Sequence, residues 1–420
     1  MSIIDTYDLN GYILNFLDIK SIFLLSLVSK TQKLFLMEQP LYQDLRNLII
    51  NESFNNVIKN TINLASKMGY ISILHWMKNS GVEFKYSNRA IDMASANGHI
   101  SVLDWFKKFG FEIKYSNKAI DLACAYGHII VLDWFKNSSS LKEQVGGKSE
   151  ILIPINFKFR YSNNAINWAS ANGHIGVLKW FKKSGFKLKY SNGAIDWASR
   201  NGHINILNWF KKYGFELKYS DKAIDWASRG GHIRVLNWFK NSGLKLKYSS
   251  NAIDEASQNG HVSILNWFKK YDIEFKYSSG AINLASNNGH VNILNWFKNS
   301  GLEFKYSTGA IDWASSNEHI AVLNWFKNSG FEFKYSTNAI DWASLRGHIS
   351  VLNWFKNSDF EFKYSNNAID WASQNGHISV LDWFKNYGFE FKYSNNAILN
   401  ASSNKHFNIL DWFEQNIQIK

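Results

Sequence analysis

Apolar and polar positions recur along most of the chain in one 29-residue pattern. The segment from Ala90 to Gly110 reads AIDMASANGHISVLDWFKKFG. A degenerate copy starts at Thr61, and closer copies start at Ala119, Ala165, Ala194, Ala223, Ala252, Ala281, Ala310, Ala339, Ala368 and Ala397. One interval is 46 residues long, which places a 17-residue insertion at about 139–155. The period predicts twelve repeats over 61–420 that share a continuous core.

Each repeat contains the signals of two short helices. Serine is a typical N-cap residue, and in the repeats from Ala90 onward a serine follows a tyrosine just before the first helix. A glycine in the next turn marks the end of that helix. Apolar residues at Ile100, Leu103 and Phe106 then follow helical spacing. The Phe-Glu-Phe-Lys-Tyr segment alternates and predicts a short extended connection. The pattern therefore predicts a helical hairpin plus a connector. The N-caps include Ser116, Ser191 and Ser220, and the end glycines include Gly98 and Gly202.

This pattern resembles the ankyrin repeat, whose signature combines T-P-L-H-x-A, a Gly-His turn and a second apolar helix. The resemblance covers about 61–420 and implies an all-α, ankyrin-type helical-hairpin solenoid that binds proteins. The 29-residue unit is about four residues shorter than the family's repeat of about 33, so we expect a shortened connector. Aspartate replaces the signature histidine, as at Asp92 and Asp196. Its hydrogen bonds must be made differently or be absent.

The first sixty residues do not share the pattern. Residues 1–46 are predicted to form a small helical module, followed by a linker at 47–60. The apolar clusters around Leu14, Leu17 and Leu24 and the segment Val28-Ser29-Lys30 resemble an F-box over about 7–46. The resemblance implies that Leu14, Leu17 and Leu24 dock a Skp-type adaptor of a cullin ubiquitin ligase. The alternative is that these helices only cap the first repeat.

The residue two places before the turn glycine varies most between repeats. In the ankyrin family this end of the first helix lines the concave groove, which makes the position our candidate partner-binding surface. Unconstrained variation at an exposed position would look the same. The candidate residues are Lys67, Arg200, Arg229, Gln258, Leu345 and Gln374.

Tryptophan recurs at two positions of the repeat. One lies on the second helix, as in Trp105 and Trp412, hardly varies, and is predicted to be core. The other lies on the first helix and is replaced in some repeats, as by Leu122 and Glu255. We interpret this second position as packing between repeats.

Lysine accounts for most of the formal charge of +13. In most repeats a lysine follows Trp-Phe, as in Lys211 and Lys240, where a cation stabilises the carbonyl end of a helix. Another precedes Tyr-Ser, as in Lys218 and Lys247. A structural role suffices for both, although two basic stripes could also follow a phosphate backbone. Nucleic acid is therefore the weakest of the partner classes we consider.

The repeated histidines and aspartates do not predict a reaction centre. Packed helices lie about 8–10 Å apart, whereas zinc holds nitrogen ligands at about 2.0–2.1 Å, so histidines of adjacent repeats cannot share a metal ion. We expect them to stabilise the turns. A catalytic centre needs groups in different environments, and each repeated aspartate has the same one. We expect no enzyme activity, no catalytic residue, no metal and no cofactor.

The remaining features concern location and assembly. One cysteine, Cys124, favours a reducing compartment, and no apolar run is long enough to span a membrane. We expect a cytoplasmic monomer. Near-identical, Asn- and Lys-rich repeats resemble arrays of giant DNA viruses of amoebae, which implies a viral protein in host cytoplasm. The last repeat, with Leu399 and Lys405 at altered positions, is predicted to be a polar cap.

Three functions remain open at this point. The first is a substrate-recruiting adaptor for a Skp/cullin-type ubiquitin ligase. The second is an ankyrin scaffold without a link to ubiquitin, and the third is a basic, nucleic-acid-binding solenoid.

Overall fold

The computed structural model describes residues 54–79, 84–139 and 158–417. These ranges contain 24 α-helices in twelve consecutive pairs and no strand. The first helices of the pairs are α1 Phe54–Met68, α3 Asn88–Ala96, α5 Asn117–Ala125, α7 Asn164–Ala171, α9 Gly193–Arg200, α11 Lys222–Arg229, α13 Asn251–Gln258, α15 Gly280–Asn287, α17 Gly309–Ser316, α19 Asn338–Leu345, α21 Asn367–Gln374 and α23 Asn395–Ser403. The second helices are α2 Ile71–Asn79, α4 Ile100–Lys108, α6 Ile129–Ser139, α8 Ile175–Ser184, α10 Ile204–Lys212, α12 Ile233–Asn241, α14 Val262–Lys270, α16 Val291–Ser300, α18 Ile320–Ser329, α20 Ile349–Lys356, α22 Ile378–Asn386 and α24 Phe407–Asn416.

The helix pairs belong to two compact units. Of the described residues, one unit comprises those up to Ala194 together with Trp209–Lys218, and the other comprises Ile195–Asn208 and those from Tyr219 onward. Within each unit, the first helices of consecutive pairs pack side by side, and the second helices form a layer beside them. The fold class is all-α, an ankyrin-type stack of helical hairpins, as the repeat pattern predicted.

The structure reproduces the predicted N-cap at Ser116 and the predicted turn glycines, whereas Asp221 and not Ser220 is the N-cap of α11. The Ser116 hydroxyl accepts a hydrogen bond from the backbone N–H of Lys118 at 3.1 Å, which satisfies a free donor at the start of α5. The turn between the two helices needs a left-handed residue, and Gly98 and Gly202 supply it with φ of 72°.

The core lies between the two layers and repeats in the ten hairpins from α3 to α22. The first helix contributes Ala-Ile and a further alanine, and the second contributes Val-Leu or Ile-Leu and a phenylalanine. Burying each large apolar side chain stabilises the fold by about 1.5–3 kcal/mol. In the hairpin formed by α11 and α12, at most 1% of each of these side chains is exposed: Ala223, Ile224, Ala227, Val235, Leu236 and Phe239.

Tyrosine hydroxyl groups link each connector to the next. The Tyr219 hydroxyl donates to the main-chain carbonyl of Lys245 at 2.7 Å. Tyr248 donates in the same way to the carbonyl of Glu274 at 2.6 Å. These bonds satisfy carbonyls of the connectors, which form no sheet ladder in the described residues.

A second series of repeated hydrogen bonds, which we call a ladder, joins consecutive first helices. A buried aspartate or asparagine in one repeat accepts a hydrogen bond from the backbone N–H of the cap serine in the following repeat. Asp225 accepts from the N–H of Ser249 at 2.9 Å and from its hydroxyl at 2.6 Å. This is how the aspartate that replaces the signature histidine is satisfied.

A third ladder joins the second helices. The indole N–H of a tryptophan donates to an asparagine or aspartate side chain of the preceding repeat, as Trp267 does to Asn237 at 2.7 Å. Two buried indoles, those of Trp105 and Trp209, have no such partner. The equivalent preceding positions hold His75 and Lys179 instead of an Asp or Asn acceptor.

The connectors also stack on one another through their aromatic rings. Phe304 stacks on Phe331 of the next connector, with ring centroids 4.2 Å apart, and on Trp325 at 5.4 Å. The short connector is therefore held by ring stacking and tyrosine hydrogen bonds. No β-hairpin finger forms in the described connectors.

Two details differ from the sequence-based expectations. First, α1 begins at Phe54, so residues 54–60, which we assigned to a linker, are helical. Apolar residues at helical spacing extend the amphipathic pattern upstream of 61. Second, the last repeat is not simply polar, because Leu399 is 61% exposed and Phe407 63% exposed. Among the described residues, no following cap serine packs over Leu399 as Ser394 packs over Asp370.

Candidate partner-binding surface

The outward side of the first helices carries half-buried tryptophan side chains. We call these residues the first-helix tryptophans: Trp168, Trp197, Trp226, Trp313, Trp342 and Trp371. None of their indole N–H groups has a hydrogen-bond partner within the described residues. Each ring is partly exposed, which leaves an aromatic surface and a donor at the solvent boundary.

The variable position lies one helical turn after these tryptophans. Lys67, Arg200 and Arg229 are exposed there, whereas Leu345 and Gln374 are half-buried, as is Gln258. Where the residue is small it packs against the helices, as Ala96, Ala125 and Ser316 do. The long side chains at this position therefore lie on the same face as the first-helix tryptophans.

One part of this face is charged. The Arg200 guanidinium carbon lies 5.5 Å from the ring centroid of Trp226, and the Lys222 ammonium lies 5.4 Å from it. Arg229 ends the helix that carries Trp226, and its Nε is 4.0 Å from a carboxylate oxygen of Glu255, which occupies the tryptophan position of the next repeat. Burial raises the pKa of Glu255 above its ordinary value, and the Arg229 charge opposes this shift.

Lysines of the connectors have contacts within the stack. Lys247 lies over the ring of Tyr219 in the preceding repeat, with 4.5 Å between its ammonium and the ring centroid. Lys276 lies 4.8 Å from the Tyr248 centroid and also pairs with Glu274 at 3.2 Å. Contacts of this kind are worth about 0.5–1 kcal/mol at exposed sites. They support a structural role for this stripe.

Lysines at the ends of the second helices also reach the next repeat. Lys240 lies 4.1 Å from the centroid of Tyr271, and Lys269 donates to the carbonyl of Ser300 at 2.8 Å. The second contact satisfies a helix-terminal carbonyl, as expected for a cation in the last turn. Both lysine stripes thus hold neighbouring repeats together.

Each histidine ring lies against the turn of the preceding repeat, and not against the turn of its own repeat. A Cβ built on Gly347 would be 2.9 Å from Nδ1 of His377, so the turn glycine leaves room for the ring. His377 hydrogen-bonds to the backbone of Leu345, and burial lowers its pKa below the ordinary value. The expected role in turn stabilisation is therefore exerted between repeats. Within the described ranges, no cluster of His, Cys, Asp or Glu can hold a metal ion.

The buried aspartates have matching environments. Burial raises the pKa of Asp225, of Asp312 and of Asp341, and hydrogen bonds from the cap serine oppose the shift. Each of these carboxylates is enclosed by the following repeat. The arrangement supports packing and offers no pair of differently tuned acids.

Several predicted features lie outside the described residues. These include the proposed adaptor-docking residues Leu14, Leu17 and Leu24, and nearly all of the insertion at 139–155. In the described part of the chain, no helix is long and apolar enough to cross a membrane.

Comparisons with known proteins give few matches. No protein-family model and no curated protein matches the chain. Among 111 matching chains of solved structures is the crystal structure of the human ASB11 ankyrin repeat domain. It is 15% identical, with 41% of this chain and 86% of that chain covered and a TM-score of 0.35. The repeated helix pairs of the described residues form an ankyrin-repeat-like array of helical hairpins.

The sequence reasoning missed the cluster around Trp226. Arg200 and Trp226 are 26 residues apart, and lysine at position 222 follows no periodic pattern. The available signal was the departure from the repeat, since two arginines at the variable position precede a glutamate at a tryptophan position.

Proposed function

We propose that this chain is a protein-interaction scaffold that captures a partner protein on the outward face of its first helices. The supporting observation is the set of half-buried first-helix tryptophans, whose indole N–H groups have no partner in the described chain. Tryptophan and arginine are enriched where protein interfaces bind most strongly. Stacked helical repeats typically bind partners along such an extended face.

The candidate contact residues are those of the variable position. Arg200 and Arg229 supply exposed charge, and Leu345 adds apolar surface beside the first-helix tryptophans. The same face at Lys67, Gln258 and Gln374 would extend the contact along each unit. Differences at this position would select the partner, because it varies most between repeats.

The more specific proposal is a substrate-recruiting adaptor for a Skp/cullin-type ubiquitin ligase. In this proposal, Leu14 and Leu17, with Leu24, dock a Skp-type adaptor while the repeats hold the target. The protein would act as a monomer in the cytoplasm, which is host cytoplasm if the source is viral. What supports the adaptor role is the F-box-like pattern over 7–46.

A nucleic-acid-binding solenoid is the weaker candidate. The two lysine stripes that could follow a phosphate backbone contact tyrosine rings and helix ends of neighbouring repeats. Their charge therefore has a structural explanation within the stack.

The test of the scaffold is affinity capture by the full chain, with chemical crosslinking and mass spectrometry to identify partners and crosslinked positions. We expect crosslinks on the first helices and weaker capture by the triple variant Arg200→Ala, Arg229→Ala and Leu345→Ala. The matched control is Lys211→Ala with Lys240→Ala, which removes the same charge from the second helices. Loss of capture only in the control, with RNA recovered, would contradict the proposal.

The adaptor role has its own test. The double variant Leu14→Ala and Leu17→Ala should lose co-purification of a Skp-type adaptor and keep the protein captured by the repeats. If no adaptor is recovered with the intact chain and the variant only lowers the melting temperature, the module is a cap and the ubiquitin link is wrong.

A further inference from the structure

The face of the first helices contains one cluster that breaks the repeat. The Arg200 guanidinium and the Lys222 ammonium both lie over the Trp226 ring, at 5.5 and 5.4 Å from its centroid. The equivalent residues around Trp371 are uncharged. A ring that holds two cations marks this repeat as different from its neighbours.

Neither cation forms a salt bridge in the described chain, although the charge of Arg200 acts on Glu255 and that of Lys222 acts on Asp196. No Asp or Glu oxygen there lies within 4.0 Å of the Arg200 guanidinium or the Lys222 ammonium. The nearby Asp221 carboxylate instead accepts the backbone N–H of Lys222 at 2.9 Å at the start of α11. A guanidinium stacked on an aromatic ring keeps its N–H edges free for a carboxylate in bidentate geometry.

The next repeat ends this positive cluster. Glu255 replaces the tryptophan there, and its carboxylate is 4.0 Å from Arg229, whose charge it partly neutralises. Its side chain is 23% exposed, compared with 51% for Arg229. The charges of Arg200 and Arg229 both act on Glu255, so this carboxylate marks the acidic edge of the cluster around the Trp226 ring.

We propose that Arg200, Lys222 and Trp226 form a subsite for the carboxylate side chains of an acidic segment in the partner protein. This inference rests on the proposed function and names the chemistry of the partner at one point of the same face. Arg200 takes a carboxylate in bidentate geometry, Lys222 adds a second charge, and Trp226 holds both cations in place. Glu255 limits how far the acidic segment extends.

A protein carboxylate fits this subsite better than an RNA phosphate does. RNA-binding surfaces stack bases on exposed aromatic rings, and the Trp226 ring already carries two cations. A phosphate backbone also needs a continuous line of free cations. Glu255 interrupts such a line, and the lysine stripes are engaged between repeats.

The experiment measures binding of fluorescein-labelled peptides to the full chain by fluorescence anisotropy at 150 mM salt. The probe is a 16-residue peptide with the repeated sequence Glu-Glu-Leu-Ser, and its neutral analogue has Gln-Gln-Leu-Ser. We expect at least tenfold tighter binding of the acidic peptide. Arg200→Ala with Lys222→Ala should remove this difference, and Glu255→Gln should strengthen binding of the acidic peptide two- to fivefold.

Matched variants separate the subsite from general effects. Trp226→Leu should weaken binding at least threefold and still fold, because leucine occupies the same position at Leu122 and Leu284. Trp371→Leu should leave binding unchanged, because Leu345 and Asn367 occupy the positions equivalent to Arg200 and Lys222. Lys211→Ala with Lys240→Ala, which removes equal charge elsewhere, should change binding less than twofold.

The opposing results are equally clear. Equal binding of the two peptides, or equal losses in the Trp226 and Trp371 variants, overturns the subsite. Tighter binding of a 16-nucleotide oligouridine that also depends on Arg200 and Lys222 overturns it in favour of RNA. If the subsite fails while captured protein still crosslinks to the first helices and depends on Leu345, the scaffold proposal stands alone.

Discussion

The Asp341 carboxylate accepts two hydrogen bonds from Ser365 of the following repeat, one from the backbone N–H at 2.9 Å and one from the hydroxyl at 2.6 Å. The same pair of positions is filled by Asn283 and Ser307, where the asparagine amide donates to the serine hydroxyl at 2.7 Å and accepts the backbone N–H at 3.1 Å. The ladder thus works with either residue type.

The first prediction is that Asp341→Asn folds and Asp341→Ala loses stability. The asparagine keeps both contacts with Ser365, whereas alanine leaves the Ser365 N–H without its acceptor in a partly buried site. An unsatisfied buried group costs about 1–3 kcal/mol. Urea unfolding at pH 7 followed by circular dichroism measures the difference between the two variants.

The pH dependence of the same pair has a definite sign. Burial raises the pKa of Asp341 in the folded protein, so the protonated carboxyl is favoured there. This contribution is fully present below the ordinary aspartate pKa of about 3.9 and is lost as the pH rises through the folded value. Asp341→Asn should therefore gain stability relative to the natural chain between pH 3 and pH 7. A constant or shrinking gap would contradict this.

The second prediction concerns the buried Trp209 indole, which has no hydrogen-bond partner. The residue thirty positions before Trp209 is Lys179, which offers no acceptor. The equivalent residue of the next repeat, Asn208, accepts a hydrogen bond from the Trp238 indole at 2.8 Å. Lys179→Asn should supply the missing acceptor and stabilise the chain by about 0.5–1.5 kcal/mol. The control is Lys179→Ala, which removes the lysine and adds no acceptor. Equal stability of the two variants would show that the bond does not form.

Periodicity alone predicted the helix pairs, since the apolar spacing, cap serines and turn glycines are local signals. The ladders between repeats could not be derived in this way. Trp238 and Asn208 are thirty residues apart, and nothing local to either indicates a bond. The same limit applies to the candidate surface, where the exposure of Arg200 was predictable and its position over Trp226 was not.

The third prediction follows from a buried serine in each first helix. The Ser228 side chain is fully buried and its hydroxyl oxygen has no hydrogen-bond partner. Cys124 fills the equivalent position in another repeat, so the hydroxyl is dispensable there. Removing an unsatisfied buried hydroxyl costs little or stabilises. Ser228→Ala should therefore leave the unfolding free energy unchanged or raise it by up to about 1 kcal/mol.

The small size of this serine is the essential property. Consecutive first helices pack closely at this point, and a larger side chain would force them apart. Ser228→Val should destabilise by about 1–3 kcal/mol through overpacking. If the alanine variant is as unstable as the valine variant, the hydroxyl must have a partner and the argument from size is wrong.

The fourth prediction is that acidification weakens the histidine contacts between repeats. Burial lowers the pKa of His377, and the neighbouring His348 and His406 lower it further, while the hydrogen bond to the Leu345 backbone opposes the shift. A lowered folded pKa means that the stabilisation is complete above the ordinary histidine value of about 6.5 and is lost as the pH falls through the folded value. His377→Gln should therefore be less stable than the natural chain at pH 7.5, and this difference should shrink at pH 5.5. Urea midpoints of both proteins at the two pH values measure this difference.

The comparison between matched proteins cancels the opposite contribution of the buried aspartates, whose raised pKa values stabilise the folded protein at low pH. A gap that stays constant would show that His377 acts only through its shape against Gly347, without a change of charge.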